Sequence, residues 1–309
     1  MVTNLPVSIN KVLVTGATGI VGTPLCSKLA GLGIQVIAYS RNSYGSDLPA
    51  SVRHIRGDIL DRAVLANAAS GADVIFHVAA AVHGSESTLA GFEAMNVTGT
   101  ANAIGAALGA DAMMVHVSTV NVEGFRTGAL KDDYASTKAR AEELVLDAVK
   151  DGLDAVIVRP ATVFGSKSGR AGQIVDRLLS RSLRVLPAPS RMISPVWAGD
   201  LAVALIKAAE LGIVGKTYTV AGPVMSTNDF VRTVSHAAGV PAPRMSIPAW
   251  AILGPLQLAW WSRRFTRWTP AVSVESVRSN SIHDGNTAAS ELGFSYTPIS
   301  EIFDRRQAR

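Results

Sequence analysis

The sequence predicts an α/β fold: a doubly wound parallel sheet with a smaller, mostly C-terminal lobe. Three observations carry this. Short β-branched runs alternate with Ala-rich stretches through the N-terminal half, and that rhythm marks a parallel sheet covered on both faces. The runs are almost continuously apolar, as strands buried on both faces are. The chain of 309 residues is 48% hydrophobic and 17% charged, enough core for one large domain or a domain plus a lobe.

The elements follow in order. KVLVT (11–15) is the first strand, with helix-like 20–31 after it. QVIAY (35–39) and VRHIRG (52–57) are the next two, ahead of helix-like 61–70. DVIFHV (73–78) leads to 92–108, MMVHVS (113–118) leads to 134–150, and AVIVRP (155–160) closes the regular series. After about residue 165 the pattern changes. Helix-like 171–182 precedes a Pro-punctuated loop at 187–195, and helix-like 199–211 has Asp200 near its start. A strand TYTVAG (217–222) comes next, then a helix capped near Thr227-Asn228-Asp229. From 241 to 270 there are five prolines and four tryptophans, which read as a smaller lobe.

Composition excludes several classes. The balance of apolar and charged residues rules out disorder, and the lack of a Gly-X-Y period rules out collagen. One cysteine, Cys26, rules out a disulfide framework and a cysteine-built zinc site. Its place in the first helix predicts a small buried hydrophobe. The six histidines show no ligand spacing, so no metal is expected. No run of 18 or more apolar residues is present, so no spanning helix is expected. The first residues have no basic stretch ahead of an apolar core, so a cytoplasmic protein is the expectation. The net charge of +5 is concentrated. Arg159, Lys167, Arg170, Arg177, Arg181, Arg184 and Arg191 face only Asp176 over residues 159–191, leaving the remainder about neutral. Such a segment is either a solvated face or a site for an anionic ligand. No helix-turn-helix, zinc finger or aromatic-basic interleaving points to nucleic acid.

The first strand runs into VLVTGATGIVG, placing Gly16, Gly19 and Gly22 at a strand-to-helix turn with Thr18 and Ile20 between them. Glycines permit the tight turn and let the backbone approach a pyrophosphate, while the helix N-terminus offers N–H groups and a positive dipole end. A dinucleotide site on a Rossmann-type core is therefore expected. The spacing differs from G-x-G-x-x-G and is similar to the TGATGxxG variant of short-chain dehydrogenases. At the end of the second strand stand Ser40, Arg41 and Asn42, with no acid. An acid there would bind a ribose 2′-OH, whereas a guanidinium pairs a 2′-phosphate with two hydrogen bonds. NADP(H) is the expected cofactor ahead of NAD(H), with Arg41 as reader and Ser40 and Asn42 as helpers.

Tyr134-Ala-Ser-Thr-Lys138 is the next constellation. A spacing of four puts both side chains on one helix face. The ammonium can then lower the phenol pKa from about 10 towards the working pH. A tyrosine so tuned gives a proton to a carbonyl oxygen or takes one from an alcohol.

With these motifs, the chain from 11 to 303 resembles the extended short-chain dehydrogenase/reductase (NAD(P)-dependent epimerase/dehydratase) superfamily. Ser118-Thr119-Val120-Asn121-Val122-Glu123-Gly124 is similar to its Ser-Ser/Thr-x-x-Val-x-Gly segment. That resemblance implies Thr119 as the hydroxyl that polarises the substrate oxygen, an electrostatic role. It implies that Asp58 and Ile59, after the third strand, lie against the adenine; Asp58 also suits capping of 61–70. It implies that Ala79 and Ala80 of His77-Val-Ala-Ala80 run under the cofactor, that Asn96 is structural, and that Pro160 to Val163 line the nicotinamide. Lys138 is implied in holding the nicotinamide ribose. Asp284-Gly-Asn286-Thr287 to Phe294 resembles the C-terminal Asp-x-x-Lys-Ala-x-x-x-Leu-Gly-Phe segment, with Thr287 in place of Lys. By the same reading, 1–165 is the dinucleotide-binding core. Residues 166–309 are then mainly the substrate lobe, returning to the core at about 196–222.

Within the superfamily the motifs lean towards reductases. Sugar-nucleotide enzymes carry an Asn where this chain has Ala161-Thr162, and the 4,6-dehydratases carry Asp-Glu where Val120-Asn121 stands. Arg159-Pro160-Ala161 is closer to 3β-hydroxysteroid dehydrogenases and dihydroflavonol 4-reductases. His83, Asn121, Phe164, Met192 and Trp250 are the candidate substrate contacts; a plain loop position is the other reading of His83. Residues 247–268 hold Trp250, Trp260, Trp261 and Trp268, then Arg263, Arg264 and Arg267 between them. This stretch packs the lobe, lines an apolar pocket, or rests on an anionic membrane, the last being the least expected. The resulting expectation is an NADP(H)-dependent carbonyl reductase or alcohol dehydrogenase acting on a medium-sized, largely apolar small molecule. An epimerase of the same superfamily and a non-catalytic dinucleotide sensor are the rivals. A homodimer is expected by analogy only.

Overall fold

The structure is a computed structural model and describes residues 9–42, 48–83, 85–86, 88–165, 170–254 and 280–303. They divide into two compact units. The first draws on Met1–Pro160, Ala198–Val220 and Gly285–Ser295, the second on Ala161–Trp197, Ala221–Asp284 and Tyr296–Arg309.

The first unit is built on seven strands: β1 (Lys11–Thr15), β2 (Gln35–Ser40), β3 (Arg53–Arg56), β4 (Val74–His77), β5 (Met113–Val117), β6 (Ala155–Pro160) and β11 (Thr217–Val220). Their order is β11-β6-β5-β4-β1-β2-β3 and every pairing is parallel. The α/β class read from the sequence is the class observed. The chain leaves β1 for β2 on one side and reaches β4 on the other. The order therefore reverses at β1, where the carboxyl ends of β1 and β4 open a crevice.

Both faces are covered by helices. α1 (Gly22–Gly31) and α8 (Ala198–Leu211) pack together on one face. α2 (Arg62–Ala69), α4 (Gly99–Ala110) and α6 (Asp133–Lys150) cover the other. There Leu65, Ala68, Ala103, Ala107 and Val145 bury against Leu13, Ile37, Ile75, Met114 and Ile157. Small residues on α4 let it lie close to the strands. Local chemistry sets the helix starts: Asp61 accepts the Val64 N–H at 3.1 Å for α2, and Asp132 caps α6 through the Tyr134 N–H at 3.3 Å. The stretch expected as one helix over 92–108 is divided. A short α3 (Leu89–Phe92) passes into a π turn at Glu93–Thr98 before α4. Between β5 and α6 lies a short α5 (Asn121–Arg126). α10 (Asn286–Leu292) packs on α8 and β11.

The second unit has its own core. Phe164, Val175, Leu178, Leu186, Ile193, Phe230, Val231 and Val234 form it. It contains β7 (Thr162–Phe164) paired with β10 (Pro195–Trp197), β8 (Val185–Pro187) with β13 (Met245–Ile247), and β9 (Met192–Ile193) with β12 (Met225–Ser226). α7 (Arg170–Leu179), α9 (Thr227–Ala238) and α11 (Ile299–Ile302) complete it. Ser226 caps α9 by accepting the Asp229 N–H at 3.0 Å.

Candidate active site

The glycine turn joins β1 to α1 at the reversal point. Gly16 has φ +66°, a conformation glycine alone adopts without cost, and a Cβ there would stand 2.8 Å from the Ala79 backbone. A Cβ on Gly22 would stand 2.3 Å from Gly16 O. The turn therefore folds tightly on itself and on the chain leaving β4. α1 starts with no side-chain cap and no acid in its first turn. The positive end of the α1 dipole therefore meets the glycine turn with no side chain over it, and a pyrophosphate fits that cradle.

Thr15, the last residue of β1, clasps β4. Its Oγ1 accepts the N–H groups of Val78 and Ala79, both at 3.2 Å, and meets His77 Nδ1 at 2.9 Å. His77 Nε2 reaches Thr100 Oγ1 at 3.1 Å, and Thr100 donates to Asn96 O at 2.6 Å. Ala79 and Ala80 follow directly, part-buried, beside the glycine turn. Asn96, in the π turn, accepts the Ala81 N–H at 2.8 Å and donates to Thr137 Oγ1 at 3.1 Å. It ties the chain after β4 to α6, between Tyr134 and Lys138.

At the end of β2, Arg41 is exposed. Ser40 is buried, and its hydroxyl bonds Asn42 O at 2.9 Å and His54 Nε2 at 2.8 Å, so it faces inward rather than to a ligand. Parallel register sets Ser40 beside Arg56 of β3, and Arg56 Nε donates to Arg41 O at 3.1 Å. A second guanidinium thus stands at the same strand end. Asp58 Oδ1 accepts the Leu60 N–H at 3.0 Å, and Ile59 is buried against Gly99.

The three residues expected to act on the substrate come together at the ends of β5 and α6. Ser118 N–H donates to Val158 O at 2.7 Å and Val120 N–H to Pro160 O at 3.2 Å, which extends the β5–β6 pairing past Thr119. Thr119 is 8% exposed, and its side chain lies near enough to the Tyr134 hydroxyl to favour the phenolate. Asn121 opens α5, with its N–H on Thr119 Oγ1 at 3.3 Å. Lys138 is buried one turn further along α6, with Nζ 2.8 Å from Val117 O and 3.3 Å from His116 Nε2.

The electrostatics depart from the simple expectation. Burial pushes the Tyr134 hydroxyl up to about 12, with Asp132 adding to the rise and the nearby Thr119 side chain opposing it. The sequence reading has Lys138 lowering this phenol. Burial sets the direction instead, and the Lys138 ammonium is anchored on β5. Burial also pulls Lys138 down to about 8, against the pull of Glu142. Glu142 is fully buried and bound by Arg159 through two contacts of 2.7 and 2.6 Å, with Arg126 at 3.3 Å. His83 stands beside the trio: its ring meets Tyr134 edge-on at 5.6 Å, and its Nε2 bonds Asp132 at 2.9 Å.

The other candidate contacts lie in the second unit. Val163 pairs with Val196 between β7 and β10. Phe164 is 1% exposed and packed against Phe230 and Phe303, so its ring fills the core of that unit instead of facing a ligand. Met192 pairs with Ser226, and its N–H is held by Asn280 Oδ1 at 3.0 Å. Trp250 is 78% exposed. Trp260, Trp261, Trp268, their neighbouring arginines and Lys167 fall outside the described residues. Cys26 is buried, and burial pushes its thiol up to about 12. Among the described residues no His/Cys/Asp/Glu group could hold a metal, and no helix is long and apolar enough to cross a membrane.

Sequence reasoning missed Arg56, His116 and Asp132. Arg56 and His116 reach the site through sheet register and helix docking, which no local pattern reports. Asp132 had a signal, as an N-cap acid two residues before Tyr134.

Residues 12–221 match the family model described as the NAD dependent epimerase/dehydratase family. The chain is 30% identical over 255 residues to the 4-hydroxy-2-methyl-3-oxo-4-farnesyl-3,4-dihydroquinoline-1-oxide ketoreductase of Stigmatella aurantiaca, covering 77% of this chain and 76% of that one. It is 30% identical over 256 residues to the 2-alkyl-3-oxoalkanoate reductase of Stenotrophomonas maltophilia, covering 75% and 76%. Among solved structures, the crystal structure of gox2253 superposes with TM-score 0.79 at 26% identity, covering 96% of this chain and 97% of that one.

Proposed function

The chain belongs to the NAD-dependent epimerase/dehydratase family of extended short-chain dehydrogenases and is an NAD(P)-dependent enzyme, and on that premise we propose that it is an NADP(H)-dependent carbonyl reductase or alcohol dehydrogenase. The observation that carries this reading is the convergence of Thr119, at the end of β5, and Tyr134, at the start of α6, with Lys138 buried one turn along the same helix and anchored on Val117 O. The substrate is a medium-sized, largely apolar ketone or secondary alcohol. Two 30% relatives named for keto reduction support that class, as does the lack of the sugar-nucleotide Asn between Pro160 and Val163.

A bound dinucleotide supplies or accepts the hydride at its nicotinamide ring. The chain does the rest. The glycine turn and the α1 N-terminus hold the pyrophosphate. Arg41 reads the 2′-phosphate, and Arg56 joins it from β3. Thr119 directs its hydroxyl at the carbonyl oxygen, where negative charge develops. Tyr134, held protonated by its desolvated setting, passes its proton to that oxygen in reduction and takes it back in oxidation. Lys138, anchored on Val117 O, presents its remaining N–H groups to the nicotinamide ribose and supports the tyrosinate. A cytoplasmic location and a homodimer are proposed with this reading, the second by fold analogy.

The test is a nicotinamide absorbance assay with NADPH, and separately NADH, against ketones, steroids and sugar nucleotides. Net NADPH loss with one ketone class is the expected result. An epimerase regains its hydride and shows none, so product turnover of a sugar nucleotide without NADPH loss would overturn the reading. A preference for NADH would overturn the role of Arg41.

A further inference from the structure

We propose that His116 is a positioning residue for Lys138: its neutral Nε2 accepts a hydrogen bond from the ammonium and, with Val117 O, fixes where that ammonium sits and how long it stays charged. This inference rests on the reading of Lys138 as part of the proposed site.

His116 lies on β5, three residues before Thr119, and is completely buried. Its Nε2 is 3.3 Å from Lys138 Nζ. An ammonium offers only donors, so Nε2 is the unprotonated nitrogen and the ring proton sits on Nδ1. Nδ1 is buried with no hydrogen-bond partner. A valine or leucine would fill this interior strand position without leaving a polar atom unpaired, and such atoms are costly to bury. The part of the ring that is satisfied is the part that faces Lys138.

The surroundings keep the imidazole neutral. Burial and then the Lys138 charge hold His116 well below the usual imidazole range. His77 on β4 lies tilted beside it, ring centroids 5.4 Å apart, and is itself pulled down to about 3 by burial and Lys138. On its own helix Tyr134 and Glu142 stand four residues to either side of Lys138, and the Glu142 carboxylate favours the ammonium through space. Glu142 is claimed by Arg159 of β6 and Arg126 of α5. Asp132 and His83 are paired with each other, and the His83 ring meets Tyr134 edge-on. Of these groups only His116 gives Lys138 Nζ a side-chain acceptor among the hydrogen bonds of the described residues. Removing that acceptor leaves the ammonium less stabilised against burial. The proton is then lost at lower pH and the Nζ position is less defined.

The experiment compares His116→Leu with His116→Gln, whose amide oxygen can accept the same bond. NADPH affinity is read by fluorescence from pH 6 to pH 10, alongside kcat and KM and the thermal midpoint. For His116→Leu the high-pH loss of NADPH affinity is expected to begin about one pH unit lower than in the parent. Its kcat is expected to fall roughly tenfold, as for a lost transition-state contact. His116→Gln is expected to restore both. A leucine variant with the parent's pH profile would overturn the proposal. So would a glutamine variant as impaired as the leucine one, since that reports shape alone. If His116→Leu does not fold, His116→Met replaces it under the same criteria. Lys138→Met separates the two levels. If it kept full activity, the reading of the trio would fail. The pH profile of NADPH binding reports on His116 without needing turnover.

Discussion

The two ends of the central sheet use polar residues in opposite ways. At the amino ends of the strands, the Asp73 carboxylate accepts the N–H groups of Asn10 and Lys11 at 2.7 and 2.8 Å, and Lys11 Nζ donates to Ser70 O at 2.6 Å. These groups stay close to water, so each bond replaces a good solvent contact and contributes little net free energy. At the carboxyl ends, Thr15, His77 and His116 are each 0% exposed and Lys138 is 1% exposed. Removed from water, they must be bonded to one another or carry a penalty. Polar groups gathered where burial is costly are the ground on which the active site is proposed at this end of the fold. The same groups at the wet end only tie strands together.

The sharpest break of this contrast is Gly22→Val. Its side chain would enter the space held by Gly16 O and the Ala17 backbone, which cannot yield like a flexible side chain. A loss above about 4 kcal/mol in stability is expected, with NADPH binding gone, both read from thermal melts with and without nucleotide. Thr15→Val comes next. It keeps the shape but strips the acceptor from Val78 N–H, Ala79 N–H and His77. A cost of about 2–3 kcal/mol is expected from denaturant titration; a cost near zero would mean the clasp is ornamental. Arg41→Gln and Arg56→Gln should each raise KM for NADPH by roughly tenfold, the worth of one lost charge-assisted contact, and leave KM for NADH unchanged. Equal effects on both cofactors would remove the 2′-phosphate assignment.

pH separates stability from activity. Lys138 is held at about 8 in the folded chain against an ordinary 10.5. Between those values the unfolded chain binds a proton that the folded chain does not. This group's contribution therefore makes stability rise as pH increases through that window. The proposed chemistry needs the ammonium, so activity should fall over the same window. Opposite slopes in melting and in kcat/KM are the expected signature, and parallel slopes would contradict it. The smallest effect is expected at the wet end. Asp73→Ala should cost about 1 kcal/mol and leave kcat untouched.

Much of the working end is legible in the sequence, for physical reasons. The turn at Gly16–Gly22 is local, because strand, glycines and helix are contiguous. Tyr134 and Lys138 share a face because the helix period is fixed. What is not legible depends on partners distant in sequence. Arg56 stands beside Arg41 only through the parallel register of β2 and β3. His116 meets Lys138 only because α6 docks over β5. Phe164 sits in a segment whose motif speaks of the cofactor, yet its ring is claimed by Phe230 and Phe303. The direction of the Tyr134 shift is set by burial, and a pattern of four residues carries no information about water. The π turn that lets Asn96 reach both Ala81 and Thr137 has no local signature at all.

In the proposed reaction Tyr134 moves the proton in a net hydride transfer. Tyr134→Phe tests it most directly, because the change removes one oxygen and keeps the ring against His83 and Phe92. NADPH affinity by fluorescence and carbonyl-dependent NADPH oxidation would be measured on the same preparation. Unchanged affinity with turnover reduced by about 10²–10⁴-fold is the predicted result. Full turnover with the phenylalanine in place would contradict the account.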